Sequence, residues 1–307
     1  MRKPSPRVVA VFQALFVTFL WSTSWVLIKA GLEEMPALTF AGLRYALAFI
    51  CLLPIVLLRS SDRAALRSLS RGDVLRLAAL GLLLYSVTQG AQFVGLDLLP
   101  AVTVSLLLNF TPVVVMVLAI MFIGERPTAL QLGGVILFLI GAAAYFLPTD
   151  TSTVQVLGLL VVAVGVAANA GSAVLGRFVN REARMSPLLV TVASMGVGSV
   201  ALLSTGIVVE GVPSLSVSAW LIVGWLAVVN TAFAFTLWNH TLRTLPALES
   251  NFINNTMLVQ IAILAWVFLG ESIGVREGVG IALAALGVLI VQISGRRDDG
   301  RDRTKPR

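Results

Sequence analysis

Between residues 8 and 293 the chain is built almost entirely from apolar runs long enough to cross a lipid bilayer, and this limits every fold open to it. A membrane span needs about 20 mostly apolar residues. Ten runs reach that length: 8–30, 37–58, 74–95, 100–122, 129–147, 154–178, 187–209, 217–239, 246–269 and 275–293. Only 12% of the residues are charged, against roughly 25% in soluble domains. The longest connection, 59–73, leaves no room for a soluble catalytic or binding domain. The first run follows Arg2, Lys3 and Arg7, as a signal peptide would. It exceeds the ~7–15 apolar residues of such a leader, however, and is read as a retained span. The single cysteine, Cys51, lies inside the second run, which excludes an intramolecular disulfide and a cysteine-held metal or haem.

The net charge of +7 could point to nucleic acid, but the placement of the basic residues argues otherwise. Nineteen of the 22 Lys and Arg residues fall at one set of span ends: three in 2–7, five in 59–76, Arg126, three in 177–184, Arg243 and six in 296–307. The opposite ends hold only Lys29 and Arg276, and Arg44 lies within a span. By the positive-inside rule both termini are expected in the cytoplasm, which requires an even number of spans. Ten satisfies it. The basic segment 296–307 is read as a disordered cytoplasmic anchor that meets anionic lipid rather than nucleic acid.

A repeat runs through these spans. Residues 99–146 laid on 245–292 without a gap match at thirteen of forty-eight positions, among them Leu-Pro-Ala at 99–101 and 245–247, Asn109 with Asn255, and Gly141 with Gly287. The fold expected is therefore an all-α integral membrane protein of ten transmembrane helices in two five-helix repeats, 8–147 and 154–293. An odd number of spans per repeat inverts one copy against the other, which is the usual architecture of carriers that expose one midplane site to either side in turn. The pairs Gly124-Glu125 and Gly270-Glu271 end the fourth span of each repeat. They are read as turn elements: glycine ends the helix in a left-handed turn, and the carboxylate accepts from the free N–H groups that open the next helix.

These residues carry a family resemblance. The first span reads FLWSTSWVLIKAGL, the second carries an Arg in FAGLRYALA, and spans four and nine begin with LPA and end with GE. In that order, across two five-span halves and residues 8–293, the chain resembles the EamA branch of the drug/metabolite transporter superfamily. The resemblance implies a bacterial inner-membrane carrier, usually an exporter of small metabolites such as amino acids. It also implies a central cavity lined mainly by spans one, three, four, six, eight and nine. The seventh span, with VASMGVGS, has no counterpart to Arg44, so any role of that residue belongs to one half.

Polar side chains are costly in lipid and normally face a bundle interior or a cavity. Those chosen as substrate-binding candidates are Trp21, Ser24, Tyr85, Gln89, Gln92, Asn109, Asn169, Asn230, Trp238 and Asn255. Asn109 and Asn255 are expected to loosen both of their helices near the midplane, the first beside Pro112, which lacks an N–H, and the second within an NNT run. Trp21 and Trp25 lie four apart, on one helical face. Arg44 sits about eight residues into its span, or ~12 Å. It is read as structural, held by an ion pair or by carbonyls, with a substrate carboxylate as the alternative partner. His240, the one histidine, lies at a span end and no acidic residue reaches the midplane, so the chain offers no catalytic constellation and no metal site.

The function expected is a secondary transporter, most simply an exporter, of a small polar metabolite such as an amino acid or a derivative, without cofactor. Its partners are that solute and membrane lipid, and a homo-oligomer is compatible with such a chain. A multidrug or other permease of the same fold is the alternative, and an intramembrane enzyme or a receptor is disfavoured.

Overall fold

The computed structural model describes residues 6–123, 127–146, 152–181, 185–241, 244–245 and 247–302, and among them no strand occurs. The helices are α1 (Pro6–Gly31), α2 (Ala37–Leu58), the short α3 (Ser60–Arg67), α4 (Arg71–Gly81), α5 (Gln89–Leu98), α6 (Ala101–Leu108) and α7 (Thr111–Ile123). They continue as α8 (Ala129–Phe146), α9 (Thr153–Arg181), α10 (Pro187–Glu210), α11 (Val217–Ala227), α12 (Ala234–Thr241), α13 (Ala247–Leu269) and α14 (Val275–Asp302). Two π-helical turns, Leu82–Thr88 and Val228–Phe233, join α4 to α5 and α11 to α12.

Nine stretches among the described residues are long and apolar enough to cross a membrane. Within α13, which runs from Ala247 to Leu269, the described apolar stretch is Ile253–Leu269. Leu58, Val208 and Phe268 are exposed, as side chains facing lipid tails would be. Helix α14 runs on to Asp302, into the segment expected to be a disordered anchor. Extending an existing helix fixes one residue per hydrogen bond and avoids the costly nucleus, so a polar continuation stays helical.

Helix starts follow local chemistry. Ser70 and Asp73 form a reciprocal capping box at α4, Ser186 precedes Pro187 at α10, and Ser216 accepts from Ala219 N at 3.0 Å to open α11. Pro36 precedes α2 and Pro100 precedes α6, and proline offers no capping side chain. A distant glutamate supplies the acceptor in each case. Glu210, at the end of α10, takes Leu38 N at 3.0 Å and Thr39 N at 2.8 Å, and Glu271 takes Ala101 N at 2.6 Å and Val102 N at 3.2 Å.

Contacts divide the chain into two compact units. One comprises Met1–Thr23, Pro100–Thr153 and Leu237–Arg307, the other Ser24–Leu99 and Val154–Thr236. Each draws on both halves of the sequence. In the first, α8 and α14 run antiparallel with their backbones in contact. A Cβ added at Gly134 would lie 2.9 Å from Gly287 O, and one at Gly141 2.6 Å from Gly280 O. In the second, α2 and α10 are antiparallel in the same manner, with Gly42 against Leu203 and Gly206 against Thr39. Small residues let helices approach this closely, which replaces the missing hydrophobic drive between helices in lipid with van der Waals packing.

Candidate functional site

The second unit holds a buried polar cluster. Arg44 of α2 is 5% exposed, and its Nε donates to Thr231 Oγ1 at 3.2 Å. Its guanidinium carbon lies 5.2 Å from the centroid of the Tyr45 ring and 6.0 Å from that of Phe93. Tyr45 donates its hydroxyl to Gln89 Oε1 at 2.6 Å, and its ring centroid is 5.5 Å from that of Tyr85. Tyr85 and Asn230, both buried, belong to the two π turns. Of the other candidates in this unit, Ser24 is buried, while Gln92 and Asn169 are half-buried.

The two π turns carry Tyr85, Asn230 and Thr231 of this cluster. They start at Leu82 and Val228, the same interval that separates the sequence repeats. In each, a threonine hydroxyl donates to the carbonyl five residues before it: Thr88 to Leu83 O and Thr231 to Leu226 O, both at 2.8 Å. A π turn widens the backbone ring by one residue and occurs frequently at functional sites. Thr231 thus closes its own turn and also meets Arg44.

Neither the ion pair nor the carbonyl contacts expected to hold Arg44 are among its described contacts, which are a hydroxyl and two rings. The described ion pair joins Arg7 to Glu249, and no described ion pair involves the buried guanidinium. A charge at the centre of a span costs ~2.5–3.5 kcal/mol on insertion scales and far more for a bare helix in lipid. One charge-assisted hydrogen bond returns about 1.5–3 kcal/mol, and each aromatic face about 0.5–2 kcal/mol. These terms can hold the side chain in place. They use one of its five N–H donors.

The first unit contains the remaining candidates. Its fourth span is interrupted: α6 ends at Leu108 and α7 begins at Thr111, with Asn109 and Phe110 between them. Pro112 has no N–H to offer Leu108 O, and Thr111 Oγ1 takes that carbonyl at 2.7 Å instead. Asn109 Nδ2 donates to Ser105 O at 2.8 Å. The loosening expected at Asn255 is not seen in the backbone, where α13 is continuous from Ala247 to Leu269. The position that matches Pro112 is Leu258, which keeps its backbone donor. Asn255 Nδ2 donates to Gln292 Oε1 of α14 at 3.0 Å, an interhelical bond within the unit.

Trp21 and Trp238 pair with ring centroids 5.2 Å apart. Close by in sequence, Ser22 Oγ donates to Gln260 Oε1 at 2.9 Å, and Gln260 Nε2 reaches Thr256 Oγ1 at 2.8 Å and Thr18 Oγ1 at 3.3 Å. Thr18, Tyr45 and Phe93 were not singled out by sequence. Tyr45 could have been, as the neighbour of the buried cation, whereas nothing marks Thr18 or Phe93 among so many apolar and hydroxyl positions.

Of the turn residues, Gly270 has φ +66°, the left-handed region glycine adopts without penalty. Glu271 reaches the start of α6 rather than the start of α14, the helix that follows it. It lines a cleft of about 360 Å³ with Pro100, Val102, Tyr145 and Glu277, and Tyr145 pairs its hydroxyl with Thr103 Oγ1 at 2.9 Å. The start of α14 takes Glu277 instead, which accepts from Gly274 N at 2.5 Å. Gly124 and Glu125 lie outside the described residues.

Membrane-length helices that carry π turns, one broken span and buried polar side chains are those of a multi-pass membrane protein. The chain belongs to the EamA-like transporter family, which matches it over residues 8–147 and 156–293. It is 25% identical over 275 residues to an S-adenosylmethionine/S-adenosylhomocysteine transporter of Chlamydia trachomatis serovar L2, covering 86% of this chain and 83% of that one. It is 26% identical over 291 residues to YedA of Escherichia coli K12, an uncharacterised inner membrane transporter, covering 94% and 90%. A protein of known crystal structure, 20% identical, aligns with TM-score 0.66 over 95% of this chain and 99% of its own, which shows the shared fold.

Proposed function

We propose that the protein is a secondary carrier of the inner membrane that exports a small polar metabolite, an amino acid or a derivative of one, by alternating access. In this reading the two halves of the sequence are inverted five-span repeats, both termini are cytoplasmic, and the polar residues of each unit serve as contacts along the solute's path. The observation that supports it most directly is the family match over both halves, together with a relative whose named solutes are an amino-acid derivative and its demethylated form. The buried amides, hydroxyls and aromatic rings suit such a solute. Tyr85, Gln89 and Asn230 in the second unit, and Trp21, Asn109, Trp238 and Asn255 in the first, are the positions assigned to it, with Ser24, Gln92 and Asn169. The broken fourth span fits a carrier, since discontinuous helices present free backbone groups to substrate at the midplane.

The test is flux. Purified protein in liposomes is given radiolabelled S-adenosylhomocysteine, S-adenosylmethionine and each of the common amino acids, with ethidium as a lipophilic cation. Saturable, protein-dependent movement of at least one amino acid or derivative, recovered chemically unchanged, is expected. Movement of ethidium alone overturns the substrate class, and chemical conversion of a solute overturns the carrier.

A further inference from the structure

We propose that Arg44 is the subsite for a carboxylate on the transported solute, an inference that rests on the carrier reading above and gives it a substrate class. The guanidinium is buried within the second unit, and the hydrogen bond it makes among the described residues is to a neutral hydroxyl, Thr231 Oγ1. The carboxylates of this unit that make described contacts serve other groups. Glu210 caps α2 at Leu38 and Thr39, Glu34 accepts from Ser216, and Asp73 caps α4 with Ser70. Gln89 Oε1, a second acceptor near the cluster, is taken by the Tyr45 hydroxyl. The rings of Tyr45 and Phe93 lie beside the guanidinium and can steady its plane without using its donors. A planar fork held in this way, with donors unspent, matches the bidentate geometry of a carboxylate.

The asymmetry of the sequence agrees with one such group per solute. The position that the repeat interval pairs with Arg44 is Val190, so the second half contributes no matching cation. Thr231 adds a route from binding to conformation, because the hydroxyl that meets Arg44 also closes the second π turn through Leu226 O. A carboxylate that draws the guanidinium toward itself acts on that turn.

Two measurements on purified full-length protein decide the matter. The first uses no ligand: Arg44→Met is expected to melt at or above the wild-type temperature, since a charge kept for a solute is a liability while the protein is empty. A melting temperature several degrees below wild type assigns Arg44 to structure and overturns the subsite. The second compares acids with their neutral amides, using S-adenosylhomocysteine and the common L-amino acids against the corresponding carboxamides in a melting assay. At least one acid is expected to stabilise the wild type, its amide to do so at least about tenfold more weakly, and Arg44→Gln to remove the difference while Arg44→Lys keeps part of it. Amides that bind as tightly as their acids overturn the subsite and leave the carrier intact. Binding and flux of ethidium without any response to the acids overturns both the subsite and the amino-acid reading.

Discussion

Glu271 shows how much one carboxylate can do where a helix opens on proline. Pro100 brings no acceptor to the start of α6, and the two oxygens of Glu271 divide the exposed donors between them, Oε1 on Ala101 N and Oε2 on Val102 N. The negative charge also meets the positive end of the helix. Glutamine keeps one acceptor and sets an amide NH2 against a backbone N–H. Glu271→Gln should therefore lower stability by about 1 kcal/mol, and Glu271→Ala by about 1–2 kcal/mol, the range of a lost N-cap. Thermal unfolding in detergent measures both, and an alanine variant that melts with the wild type would remove the cap from the account. That the residue serves a helix start was legible from the Gly-Glu pair. Which helix was not, because local sequence favours the next start, and Glu271 instead meets a segment some 170 residues away. Arg44 was equally half-legible: its depth followed from span length, but its partners are a π-turn hydroxyl and two rings that only tertiary packing supplies.

At the scale of the element, the two π turns separate what the repeat encodes from what it displays. Each lies at the same place in its half, yet their sequences, LLLYSVT and VVNTAF, share little beyond apolar character and a hydroxyl. The length of the apolar runs predicts the spans that contain them and cannot predict the widened turns, because one additional residue per turn leaves no compositional mark. The break in the fourth span was more legible, since Pro112 removes a donor by covalent structure, and the continuity of α13 follows from Leu258 at the matching position. A π turn holds one residue more than an α turn needs, so removing one should restore α geometry while keeping both flanking helices in register. Deletion of Val87 or of Val228, both exposed, is expected to leave the protein folded, with a melting temperature close to wild type, and to abolish flux of its solute. Deletion of the exposed Val200 from the middle of α10 should instead rotate everything after it by about 100° and unfold the protein. Wild-type flux after the Val87 deletion would reduce the π turns to tolerated irregularities.

For the whole molecule, the contacts within each unit bear on how the two halves are oriented. Adding the repeat interval to Gly134 gives Gly280, and subtracting it from Gly287 gives Gly141. The contact of Gly134 with Gly287 is thereby the copy of the contact of Gly141 with Gly280. Two helices related in this way and lying antiparallel are what an inverted duplication would produce, and each unit draws on both halves. The charge pattern makes the same demand independently, with nineteen basic residues at one set of ends and two at the other. Both arguments require α13, Ala247–Leu269, to cross the membrane. Reporter fusions test it. Fusions within 59–70, within 242–246 and after 302 should report cytoplasm, and fusions within 210–216 and 271–274 should report the opposite side. If 242–246 and 271–274 report the same compartment, α13 does not cross, the spans number nine, and the second half cannot be an inverted copy of the first. If they report opposite compartments, the polar start of α13 is carried through the membrane's edge by contacts such as Asn255 with Gln292, and ten spans with both termini inside follow together.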